Sequence, residues 1–359
     1  MEERSIEEIK LPASERLAMN ATANFDGESA LFCTVGRGQA AIDLARRHPD
    51  ARVVLQIFDQ FRATETQEFD EAQLPNLEIR CTADFPETEF DLFVLPLTRG
   101  GEAELARDLL QFGYQQLKKG GQFVAAVDNP KDTWLMHEIE KLAKNITRTP
   151  KRHGVLYRLQ KQSPLKRFRD FRCEFGFRDG DRVIKVISRP GVFSHRRLDL
   201  GARALIESME IPNGARVLDV GCGSGAVGLA AALRASDVRV YAVDSNPRAL
   251  DSAKQGATLN GISGFHTALS AEGDLVFDGL DESGTFDVAV GNPPYYSHYQ
   301  IAEIFLQTAR KALRPGGRTW MVTKHPEWMV ARMQQLFLSV ESREVRGYHI
   351  VSGVRSERT

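Results

Sequence analysis

Asn292-Pro293-Pro294-Tyr295 is the stretch of this 359-residue chain best suited to handling an amine. Proline fixes φ and has no backbone donor, so a Pro-Pro pair holds nearby carbonyls and the Asn side chain in one geometry. The Asn292 amide oxygen and the Pro293 carbonyl can then accept the two N–H bonds of an exocyclic amine. Two such acceptors favour a more pyramidal nitrogen and aim it at an electrophilic carbon, so orientation carries the catalysis without a strong general base. Tyr295 offers a face on which a planar amide or a flipped base can stack, and Tyr296, His298 and Tyr299 widen that lip. Asn-Pro is also an ordinary turn signal. What lies upstream decides between the two readings.

Upstream are residues fit to hold the electrophile. Val217–Val220 reads as a buried strand, and Gly221-Cys222-Gly223-Ser224-Gly225 reads as a turn into a helix. Glycines there permit positive φ and let a ligand approach the backbone. Asp244 follows Gly225 by 19 residues, at the end of the next strand, where a carboxylate can accept both ribose hydroxyls. Gly223-x-Gly225-x-x-Gly228 also satisfies a dinucleotide fingerprint. Asp219, two residues before the first glycine, would repel a pyrophosphate but suits a sulfonium ligand with its amino-acid moiety. No downstream pattern supplies hydride chemistry. The cofactor these residues imply is S-adenosylmethionine (SAM), with Asp219, Gly221, Gly223, Gly225 and Asp244 around it and Asn292 at its reactive end. Adenine recognition needs an acceptor near the end of the following strand; of Ser270, Glu272 and Asp274, Glu272 is preferred.

These motifs sit in an internal repeat. At an offset of 187, Gly36, Gly38, Asp50, Arg52 and Val53 fall on Gly223, Gly225, Asp237, Arg239 and Val240. At an offset of 196, Phe90–Val94 falls on Phe286–Val290, Gly120-Gly121 on Gly316-Gly317, and Pro130 on Pro326. The order is kept, with a net insertion of nine residues in the later copy. Chemistry is lost from the first copy: Asp219 corresponds to Phe32, Gly221 to Thr34, Asp244 to Ile57, and Asn292–Tyr295 to Pro96–Arg99. Within a copy, strands expected at 217–220, 238–243, 286–290 and 318–323 alternate with helices at 226–234, 247–260 and 301–313. Such alternation implies an α/β fold with a parallel, doubly wound sheet. The expected domains are a degenerate, non-catalytic copy over 1–150, a basic linker over 151–185 and a catalytic copy over 186–359.

Charge patterning bears on the partner. The net charge is −1, yet Lys141–Arg172 carries eleven Lys/Arg and one acid, Asp170. Basic side chains neutralise phosphates, so this stripe suits a nucleic-acid backbone; Lys166, Arg167, Arg169 and Arg172 are its expected contacts. Tyr157, Phe168 and Phe171 are candidates to stack on bases. A solvated linker is the plainer alternative. The four cysteines show no metal-like spacing, so no metal is expected and a reducing, cytoplasmic setting fits. Residues 1–20 do not read as a signal peptide, no apolar run is long enough to span a membrane, and a monomer is expected.

Three features together resemble the class I methyltransferases of the Asn-Pro-Pro-Tyr group, in particular the guanine-N2 methyltransferases of ribosomal RNA known as methyltransferase C, for the small subunit, and methyltransferase G, for the large one. They are Arg189-Pro-Gly-Val-Phe-Ser194 with Leu198-Asp-Leu-Gly201, the loop 217–225 followed by 292–295, and a degenerate half before an intact one. The resemblance implies two tandem Rossmann-like methyltransferase domains and a SAM-dependent transferase acting on guanine N2 of ribosomal RNA, small-subunit RNA preferred. It further implies that Phe193 and Ser194 help close the pocket, although Phe193 read by itself could equally be core. Glutamine-N5 methylation of a protein, and a catalytically silent RNA-binding assembly factor, are the competing readings. The basic stripe favours RNA, and the intact Asp219, Asp244 and Asn292 favour an enzyme.

Overall fold

The computed structural model describes residues 10–294 and 299–357. The chain divides after Phe171 into two compact units. The first contains α1 (Ala13–Ala21), β1 (Ser29–Thr34), α2 (Gln39–Arg47), β2 (Arg52–Ile57), α3 (Gln60–Gln67), β3 (Leu77–Arg80), β4 (Phe90–Leu97), α4 (Ala103–Gln115), β5 (Leu117–Val127), α5 (Trp134–Ile139), β6 (Thr147–Lys151) and β7 (Gly154–Gln160). Its seven-stranded sheet has the order β3-β2-β1-β4-β5-β7-β6. Strands β1 to β5 are parallel, whereas β7 lies antiparallel to β5 and β6 antiparallel to β7.

The second unit opens with a hairpin, β8 (Cys173–Asp179) and β9 (Arg182–Ser188). Then come α6 (Leu200–Ser208), β10 (Arg216–Val220), α7 (Ala226–Arg234), β11 (Arg239–Asp244), α8 (Pro247–Leu259), β12 (Phe265–Leu269), β13 (Val276–Phe277), β14 (Leu280–Asp281), β15 (Phe286–Gly291), α9 (Gln300–Ala312), β16 (Leu313–Thr323), α10 (Pro326–Leu336), β17 (Leu338–Val345) and β18 (Tyr348–Val354). The sheet order β12-β11-β10-β15-β16-β18-β17 repeats that of the first unit.

The duplication holds at the level of single elements. An offset of 187 carries α1, β1 and β2 onto α6, β10 and β11, and an offset of 196 carries β5 onto β16 with identical bounds. The inserted residues of the later copy lie between β12 and β15, where they form the two-stranded ribbon β13–β14. Central strands are apolar on both faces because helices cover both, as parallel sheets require. Along β10, Val217 joins the core on one face, while Leu218 and Val220 join the core on the other.

The structure replaces the expected linker over 151–185. Lys151 ends β6, Gly154–Gln160 is β7 inside the first sheet, and 173–188 is the hairpin of the second unit. Lys151 closes an exposed edge strand, Thr147–Lys151, that also carries Arg148 and Pro150, since edges tolerate charge and proline. Tyr157 and Phe171 are buried, so neither can stack on a base; Phe168, half-exposed, packs edge-on against Phe112. Lys161 is also buried, its Nζ donating to the carbonyls of Gln115 and Leu117. Among the described residues no helix is long and apolar enough to cross a membrane, and no three His, Cys, Asp or Glu converge as metal ligands.

Candidate active site

The glycine turn closes over the carboxyl end of β10. Gly221 has φ +66, and a Cβ there would lie 2.2 Å from the Phe305 ring. Gly225 has φ +81, and its Cβ would lie 2.7 Å from that of Ala253. These two glycines therefore let α9 and α8 pack tightly. Gly223 is different: the nearest atom to its missing Cβ is the Phe193 carbonyl at 4.0 Å. It leaves space in a cavity at the carboxyl end of β10.

Of the residues expected to hold a cofactor, Phe193, Asp219, Gly221, Gly223 and Asn292 line that cavity. Asp244 does not. Its Oδ2 accepts the Gly223 N–H at 2.8 Å and its Oδ1 the Asn246 N–H at 2.8 Å, so it braces the cavity wall from behind. Gly225 is the N-cap of α7 and lies outside the lining. Glu272 is exposed and also lies outside it. The Asp274 N–H donates to Ser270 Oγ (2.7 Å) and Gly273 takes φ +80, which places Glu272 at the tip of a turn. Phe193 is 60% exposed at the cavity rim, which rules out its reading as core. The segment around it is moored to α8: Asn246 Nδ2 donates to the Gly191 carbonyl and Arg248 Nη1 to that of Pro190.

Asp219 is the electrostatic centre. It is 2% exposed, and its Oδ2 accepts the Gly228 N–H at 2.8 Å. Burial pushes its pKa up to about 7, with the nearby Asp244 charge adding to the rise against the Gly228 bond. No described cation pairs with it, although Arg197 lines the same cavity, so a buried carboxyl faces the cavity without a direct ion-pair partner. Burial also raises the Cys222 thiol well above its ordinary range, which leaves it inert.

Asn292 follows β15 and is held by a residue that pattern reading missed. Its Nδ2 donates to Asp199 Oδ2 at 2.9 Å. The same oxygen accepts the Ala202 N–H at 3.0 Å, making Asp199 the N-cap of α6. With the NH₂ side anchored, the amide oxygen is turned the opposite way. An acid just before an apolar helical run was the available signal. Pro293 is buried and Pro294 half-buried, while Tyr295, Tyr296 and His298 lie outside the described residues. Tyr299 stacks on Trp328 (centroids 4.5 Å apart, planes at 8°) with His325 edge-on at 5.9 Å. Lys166, Arg167, Arg169 and Arg172 are exposed and line no part of the cavity; the Arg169 guanidinium lies 4.8 Å from the Phe171 ring centroid.

Residues 183–352 match the methyltransferase small domain. An uncharacterized protein of Bacillus subtilis, YbxB, is 30% identical over 182 residues, 49% of this chain and 89% of that one. The chain belongs to the methyltransferase small-domain family. Ribosomal RNA small subunit methyltransferase C of Chromohalobacter salexigens is 33% identical over 180 residues, 47% of this chain and 51% of its own. Ribosomal RNA large subunit methyltransferase G of Streptomyces avermitilis is 34% identical over 161 residues, covering 42% and 40% respectively. The chain thus spans about half the length, or less, of these two ribosomal RNA enzymes. Among solved structures, the Thermus thermophilus 16S rRNA N2 G1207 methyltransferase (RsmC), in complex with AdoMet and guanosine, superposes with a TM-score of 0.75. At 22% identity, covering 95% of this chain and 91% of that one, the match establishes the fold. The small-domain match contains Asn292, Phe193, Asp199 and Asp219 and begins inside β9.

Proposed function

We propose that this chain transfers the methyl group of SAM to the exocyclic N2 amine of a guanine in ribosomal RNA, the small-subunit RNA being the preferred substrate. The observation that carries this reading is the convergence of a buried carboxyl with no ion-pair partner, Asp219, and an anchored amide, Asn292, on one cavity. The cavity fits SAM: the carboxyl calls for a cationic group such as the amino-acid ammonium, Gly223 bares the backbone beneath it, and Phe193 offers an apolar face at the rim. Asp244, already bracing the turn, retains lone pairs for ribose hydroxyls at the end of β11. When bound, the sulfonium supplies an electrophilic methyl carbon. Asn292 Oδ1 and the Pro293 carbonyl receive the amine's N–H bonds and aim its lone pair at that carbon, and Asp199 keeps Asn292 from rotating. Tyr295 is assigned the stacking face for the base, and Gly221, Gly225 and Pro294 shape the two turns. Glu272 keeps its adenine role in this proposal only if the 270–274 turn rearranges around the ligand.

The relatives support the substrate class, since the Chromohalobacter and Streptomyces proteins are named as ribosomal RNA methyltransferases and the Thermus enzyme as acting on guanine N2. The exposed Lys166, Arg167, Arg169 and Arg172 add positive charge at the surface that suits phosphates. The test is transfer of a labelled methyl group to separated small and large ribosomal subunits, followed by nucleoside mapping. N2-methylguanosine from small-subunit RNA is expected. Label in a protein glutamine, in large-subunit RNA, or nowhere would each overturn the proposal.

A further inference from the structure

We propose that the N-terminal unit holds a binding groove for single-stranded RNA at the carboxyl edge of its sheet. This inference rests on the reading that the substrate is RNA. The groove, of about 1120 Å³, runs between the start of α1 and the β6–β7 hairpin. Lys10, Arg16, Lys151, Arg152, His153 and Arg158 line it, and all six are exposed. None forms a salt bridge with a described carboxylate; the Arg158 guanidinium reaches only the Ala21 carbonyl, at 3.5 Å. Asp128 is the one acid among the described residues of its walls, and its Oδ1 already accepts the Arg99 N–H. The five Lys and Arg side chains among them come from two separate segments and have no described carboxylate paired with them, so they repel one another. They favour a ligand carrying several spaced negative charges.

The neighbouring cavity indicates which polyanion. Thr98 borders the groove and also a cavity of about 340 Å³ walled by Leu97, Val127, Leu135 and the half-exposed Trp134. A strand whose phosphates follow the cations can turn an unpaired base into this apolar space, which the paired bases of a duplex cannot do. Both features lie beyond the ends of β4 and β5, the edge where doubly wound sheets bind ligands. The expected contact stripe at 166–172 contributes no residue to either.

Fluorescence anisotropy with a labelled single-stranded RNA of twenty nucleotides, titrated with salt on the full chain, tests the groove. Arg16→Glu/Arg152→Glu should weaken binding about tenfold or more and flatten the salt slope by about 1.4, two phosphate contacts on a single strand. Lys151→Glu/Arg158→Glu should do the same, guarding against a folding defect in one variant. Arg46→Glu/Lys119→Glu makes an equal charge change at the opposite edge of the sheet and should leave affinity within about threefold. Equal losses in all three variants, no loss in the groove variants, tighter binding of a duplex of the same length, or equal displacement of the RNA by poly-glutamate would each overturn the groove. SAM affinity, measured by calorimetry, should be unchanged in the groove variants. If the wild-type chain methylates no RNA yet shows this pattern of binding, the proposed reaction falls and the groove stands.

Discussion

In the N-terminal unit, Glu15 fills the place that is open in the C-terminal unit. Its carboxyl accepts the Thr34 hydroxyl at 2.8 Å and the Ala40 N–H at 3.0 Å, deep in the core. An offset of 187 carries Glu15, Thr34 and Ala40 to Ala202, Gly221 and Val227, which all line the C-terminal cavity. The glycine turn survives in both copies but is tied differently. Thr34 Oγ1 accepts the Gly36 N–H, whereas Asp244 performs that task for Gly223 and Ile57 stands at the corresponding position. The comparison shows that a copy of this fold can lose its ligand space from within, through a few side chains, while strand order, turn and core are kept.

The sharpest way to break this comparison is to rebuild the plug in the open copy. Ala202→Glu should abolish measurable SAM binding in calorimetry while far-UV circular dichroism stays unchanged, and the wild-type chain should bind one SAM, not two. Affinity within threefold of wild type, or a stoichiometry of two, would refute the equivalence. Next in size, Asn292→Ala should lower kcat by about 100-fold, the scale of lost orientation, with SAM affinity within about twofold. Asp199→Ala should also act on kcat rather than on the SAM dissociation constant, and cost about 1 kcal/mol of stability through the lost helix cap. A change confined to stability would reduce Asp199 to a cap.

A smaller effect follows from Asp219. With its pKa pushed up to about 7 by burial, the Asp219 carboxyl is protonated at pH 5.5. A cationic ligand group favours the carboxylate, so binding releases a proton and affinity should climb about tenfold between pH 5.5 and 7.5. Calorimetry in buffers of different ionisation enthalpy would detect that proton, and Asp219→Asn should abolish both signals. The smallest effect concerns the plug. Burial raises the Glu15 pKa, so its contribution to stability is fully present below the ordinary carboxylate range and is lost as pH rises through the raised value. Glu15→Gln should melt within about 1 kcal/mol of wild type at pH 5, as expected when a neutral group keeps the hydrogen bonds. The difference should move in its favour by pH 8, and a pH-independent difference would place the titration elsewhere.

Much of this architecture is legible in the sequence, because a parallel sheet writes itself as unbroken apolar runs such as Val217–Val220 and because the two offsets align whole elements. The helix expected over 226–234 matches α7 at both ends. What escapes such reading is instructive. Leu313 reads as a helix end but pairs as the start of β16, since a long strand can begin in a glycine-rich bulge. Gly225 reads as ligand-facing yet lies outside the cavity, and the absent side chains of Gly221 and Gly225 make room for Phe305 and Ala253, partners distant in sequence. Asp244 and Glu272 are both plausible acids at strand ends. Hydrogen bonds to loop backbone turn one into a brace and set the other at the tip of a turn. The Glu15 plug is invisible for the same reason: it joins three residues from three segments, and no spacing rule connects them.

One oxygen atom of Asp199 carries both the first turn of α6 and the amide of Asn292. The helix start and the amide therefore share one acceptor, so whatever displaces that oxygen weakens both at once. The exchange rate of the Ala202 amide proton therefore reports how firmly that shared oxygen is held, and it can be read in the resting protein without substrate.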